Sequence, residues 1–70
     1  MNLAAICKEH QNVKHVQLYL DGRGSNYVRK TLVVDRPINQ LSEKMLNDDV
    51  YNVRFSLNKA GEVVVKAVLA

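Results

Sequence analysis

At 70 residues, 47% hydrophobic and 24% charged, the chain has the composition of one folded domain and is too apolar for a disordered segment. Its one cysteine, Cys7, excludes an intramolecular disulfide framework, and no stretch approaches the ~18 apolar residues of a membrane-spanning helix. A chain this short buries only ~60% of the surface its unfolded form exposes, so a second copy or another partner has burial to add.

In chain order, Asn2 can cap a short helix because its side-chain oxygen can accept from an otherwise unpaired N–H. Leu3, Ile6, Cys7 and His10 then share one face at helical spacing, and the helix should end near Asn12. The apolar start, Leu3 to Cys7, is too short for a secretory signal core, which together with the lone cysteine leads us to expect a cytoplasmic protein.

From Val13 to Leu20 the pattern changes to a period of two. Val16, Leu18 and Leu20 alternate with His15, Gln17 and Tyr19, as in a half-buried strand. Asp21 to Asn26 is dense in turn formers, and Tyr27 to Val34 is β-branched and aromatic. A three-residue turn at Gly22-Arg23-Gly24 predicts a hairpin pairing Tyr19 with Tyr27, Leu18 with Val28 and Gln17 with Arg29.

Asp35 as a cap and Pro37 in a first turn predict a second helix from about Pro37 to Asn47, with Ile38, Leu41, Met45 and Leu46 as its apolar stripe. Asp48 and Asp49 are unfavourable at a helix C-terminus and belong to the exit loop. Val50 to Leu57 alternates again, and a turn at Lys59-Ala60-Gly61 pairs Leu57 with Val63, Phe55 with Val65, Val53 with Ala67 and Tyr51 with Leu69. The last segment, Val63 to Ala70, is apolar on both faces. It suits either a central strand or one covered by a partner.

The order αββαββ predicts one α+β domain over residues 1–70. Its core would be a four-stranded antiparallel sheet of two β-hairpins with two short helices on one face. Lys30 falls on the helix-covered face as its one misfit. Either it snorkels from an edge or the first hairpin has another register.

The opposite face would show His15, Gln17, Tyr19, Tyr27, Arg29 and Thr31, then Asn52, Arg54, Ser56, Val64, Lys66 and Val68. Bases stack on aromatic rings while Arg and Lys meet phosphates, so this surface is a candidate nucleic-acid-binding face. Tyr19 and Tyr27 are the stacking candidates; Arg29, Arg54 and Lys66 are the backbone contacts, with Arg23 at the hairpin tip. The charge excess supports this. Residues 1–36 hold six basic groups (Lys8, Lys14, Arg23, Arg29, Lys30, Arg36) against three acidic (Glu9, Asp21, Asp35), whereas the remainder is balanced. The second use of the face is protein contact, with Val64 and Val68 as partner-interface residues of a regulator, an inhibitor or a homodimer subunit.

Enzymatic chemistry finds little support. Cys7, His10 and His15 lack the four closely spaced ligands of a structural zinc site. Gly22-Arg23-Gly24 joins two strands, whereas phosphate loops open a helix. Asp48 and Asp49 are adjacent in a loop with no sign of a cleft between them. The expectation is a non-enzymatic binding protein with no metal, no cofactor and no membrane association.

Overall fold

A computed structural model describes residues 1–23 and 28–70, with Arg23, Val28 and Arg29 described in backbone only. The elements are α1 (Leu3–Glu9), β1 (Val13–Arg23), β2 (Val28–Pro37), a 3-10 turn (Ile38–Gln40), α2 (Glu43–Leu46), β3 (Val50–Leu57) and β4 (Val63–Leu69). They form a four-stranded sheet in the order β2-β1-β4-β3, with both short helices on one face.

Helix α1 begins as the sequence predicts. Asn2 Oδ1 accepts from the Ala5 amide at 2.9 Å, and Leu3 and Ile6 are buried. Its start is tied to the segment that enters β3: the Leu3 amide donates to the Asp48 carbonyl and the Val50 amide to the Met1 carbonyl.

The all-antiparallel sheet is corrected. Both hairpins are antiparallel, but the central pair, β1 and β4, runs parallel from Val13 to Tyr19. The segment between β2 and β3 is a crossover, so β4 adds beside β1 and the sheet is mixed. A central position explains why β4 is apolar on both faces.

The first hairpin register is also corrected. Tyr19 pairs with Leu32, Leu18 with Val34 and Gln17 with Asp35; the ladder continues to Arg23 with Val28. The expected partner of Tyr19, Tyr27, lies outside the described residues. An odd-numbered slip moves side chains to the opposite face. Lys30 therefore leaves the helix-covered face, and Thr31 turns toward it. A bulge at Val33, between the Leu18 and Tyr19 pairings, returns Val34 to the core side.

The second helix is shorter than predicted. β2 runs on through Pro37, because its register with β1 continues to the His15–Pro37 pair and Asp35 bonds to β1 side chains instead of capping a helix. Leu41 is extended (φ −86°, ψ 136°), which breaks the stripe, and Ser42 starts α2 by accepting from the Met45 amide at 3.3 Å. Ile38, Leu41 and Leu46 still pack on the core.

The second hairpin turn forms as expected. Gly61 takes φ 76°, and Asn58 Oδ1 accepts from the Ala60 and Glu62 amides. Leu57–Val63 and Phe55–Val65 pair as predicted. Beyond Arg54 a bulge at Asn52–Val53 shifts the register, so Tyr51 meets Val68, not Leu69.

The core lies between α1 and the sheet: Leu3, Ile6, Val13, Val16, Leu18, Val50, Val65 and Ala67. It ends before Leu20, which is 50% exposed. Here β1 and β2 outrun β4 as a two-stranded ribbon, and the molecule measures 38 × 27 × 18 Å.

Candidate nucleic-acid interface

The open face is built by period-two alternation on three strands and by two bulges. β1 presents His15, Gln17, Tyr19 and Asp21; β4 presents Val64, Lys66 and Val68. On β3 the extra residue at the bulge places Tyr51 and Arg54 on this same face, three residues apart. Asn52 adopts φ 52° there, a left-handed conformation that few side chains tolerate and that Asn tolerates better than most.

These devices enclose a concavity of about 170 Å³ lined by Tyr19, Lys30, Asn52, Arg54, Lys66, Ala67 and Val68. Three cations, one aromatic ring and one amide line it, over the all but buried Ala67 and Val68. Arg54 and Lys66 are direct cross-strand partners, so two like charges oppose each other across β3 and β4. That arrangement costs stability, and an anion bound between them would relieve it.

A polar chain orders the rim. The Tyr19 hydroxyl donates to Gln17 Oε1 at 3.4 Å, Gln17 Nε2 donates to Asp35 Oδ1 at 3.4 Å, and His15 Nε2 is bonded to the same carboxylate oxygen. The bond from His15, reinforced by Gln17, holds the Asp35 carboxyl below the usual carboxylate range. At the opposite rim the Tyr51 hydroxyl donates to Asp21 Oδ2 at 2.6 Å. Asp21 Oδ1 is buried and, among the described residues, has no hydrogen-bond partner.

Of the residues singled out from the sequence, Tyr19, Arg54 and Lys66 come together around this concavity. Tyr27 lies outside the described residues, as do the side chains of Arg23 and Arg29, whose backbones pair with Val28 and Gly22 in the ribbon. Val64 and Val68 are each 3% exposed.

Sequence reasoning placed Asn52 on this face but set Lys30 and Tyr51 on the opposite one. Lys30 carried a usable signal, a lone charge in an otherwise apolar alternation. The bulge at Asn52 had none, since its φ is visible only in the folded backbone.

Cys7 and His10 lie on the helix side and His15 on the open side, so the sheet separates the three groups considered for a metal. Burial pushes the Cys7 thiol up and keeps it protonated. His10 stacks obliquely on Phe55, with centroids 4.6 Å apart. Among the described residues no helix is long and apolar enough to cross a membrane.

The chain matches no protein-family model, and comparison with curated proteins and with solved structures gives no match.

Proposed function

We propose that the chain is a non-enzymatic nucleic-acid-binding protein that holds a single strand against its open sheet face. One observation carries this reading: Lys30, Arg54 and Lys66 surround the same concavity as the Tyr19 ring and the Asn52 amide. Cations meet the phosphate backbone, the ring offers a stacking surface, and the amide can donate to and accept from a base edge.

Single strands fit this surface better than duplex, because stacking on a ring requires an unstacked base. The test is binding of a fluorescent oligonucleotide followed by anisotropy across a salt series. Three phosphate contacts give a log–log salt slope of about −2 for single strands. Absence of binding at low salt, or binding that salt does not weaken, contradicts the reading.

A further inference from the structure

The two edges of the sheet differ. β2 carries Lys30, Asp35 and Arg36, contains the bulge at Val33 and ends at Pro37, features that blunt an edge against pairing. β3 has its bulge at Asn52–Val53 and leaves Arg54 to Leu57 regular, with one charge, Arg54.

The Asn58 amide donates to the Glu62 carbonyl at 3.0 Å, which closes the hairpin with a bonded pair. Bonded and non-bonded pairs alternate along an antiparallel ladder. The amides and carbonyls of Leu57 and Phe55 therefore point away from β4, toward the open edge. Their side chains lie on the helix side, where Phe55 is 44% and Leu57 70% exposed. Bonding groups and apolar surface are thus offered together along one edge.

We infer that this edge pairs antiparallel with β3 of a second copy, centred on Phe55. The stretch is self-complementary in that register. Phe55 meets Phe55 as a bonded pair, Val53 meets Leu57, and Arg54 meets Ser56. Centring on Arg54 instead would set two guanidiniums opposite each other, which like-charge repulsion disfavours. Directly opposed residues share a face, so the two-fold axis stands perpendicular to the sheet and the pairing closes as a dimer. The product is a continuous eight-stranded sheet. The exposed apolar side chains of both copies meet on the helix side, and both concavities open on the other.

The inference is independent of nucleic-acid binding and is tested without any ligand. Sedimentation or light scattering across concentration should show a species of twice the chain mass. Ser56 sits on the open face, outside the core, and faces the partner's Arg54 in two symmetric places. Ser56→Arg should weaken the dimer about fivefold, and Ser56→Glu should strengthen it about as much, because like and opposite cross-strand charges act with opposite sign. A merely structural effect would not reverse with the sign of the charge. Leu57→Lys, at a position too exposed to be needed for folding, should also dissociate it. Circular dichroism checks that each variant stays folded. A chain that remains monomeric up to about 0.5 mM, near the weak limit of specific association, overturns the inference. So does a dimer whose affinity follows neither change at Ser56.

Discussion

The Tyr51 hydroxyl donates to Asp21 Oδ2 at 2.6 Å and so links β3 to β1 over the top of β4. The bond exists because the bulge at Asn52 turns Tyr51 onto the open face, where it covers the end of β4 near Val68. Without the bulge Tyr51 would point to the helix side, as simple alternation suggests. Tyr51→Phe keeps the ring and removes the donor, leaving Asp21 with one bond fewer in a carboxylate already short of partners among the described residues. The expected loss is about 1 kcal/mol, the net worth of a partly exposed hydrogen bond, read as a lower urea midpoint with an unchanged m-value.

Asn52 provides a second stability test. At φ 52° a residue without a β-carbon is unstrained, so Asn52→Gly should leave stability within about 0.5 kcal/mol of the parent. Asn52→Val forces a β-branched side chain into the same conformation and should cost more than about 1 kcal/mol. Equal midpoints for the two variants would show that the bulge is not where the strain resides.

Stability should also fall in acid through Asp35. Its folded-state pKa is depressed, chiefly by the bond to His15, so its contribution is present above the ordinary carboxylate pKa of about 3.9 and fades as pH falls through the lower folded value. The difference in melting temperature between the parent and Asp35→Asn should therefore be present at about pH 5 and shrink below pH 4. A difference that grows on acidification would reverse the assigned sign.

Tyr19 should matter for binding more than for folding. Its ring is half-buried and its hydroxyl bond to Gln17 is long, at 3.4 Å. Tyr19→Leu should reduce affinity for a single-stranded oligonucleotide by about 1–3 kcal/mol, the range for one stacked base. Thermal unfolding of the unliganded variant should stay close to that of the parent.

Much of the fold was legible because its determinants are local. The cap at Asn2, the glycine at Gly61 and the apolar alternation of Phe55 and Leu57 against Val63 and Val65 each act within a few residues. Long-range pairing was less legible. The parallel contact of β1 with β4 leaves no mark on either strand beyond the two-sided apolarity of β4, which a partner would explain as well. The first hairpin was misregistered because turn formers fill Asp21 to Asn26 and several turns fit them; the ladder runs on to Arg23 and Val28. The second helix was overextended because Ile38, Leu41 and Leu46 face the core with helical spacing although Leu41 is extended. Half the candidate site followed from alternation alone. The other half depends on two bulges and one register slip, which alternation cannot reveal.

The central claim is that Lys30, Arg54 and Lys66 act as one anion-binding group, and it is tested most directly by the salt dependence of oligonucleotide binding in single charge-removal variants. Lys30→Ala, Arg54→Ala and Lys66→Ala should each weaken binding and each reduce the magnitude of the log–log salt slope by about 0.7, the share of one phosphate contact on a single strand. Lys44→Ala, on α2 and away from the concavity, should leave the slope unchanged. Equal losses in all four variants, or a slope that none of them alters, would contradict it.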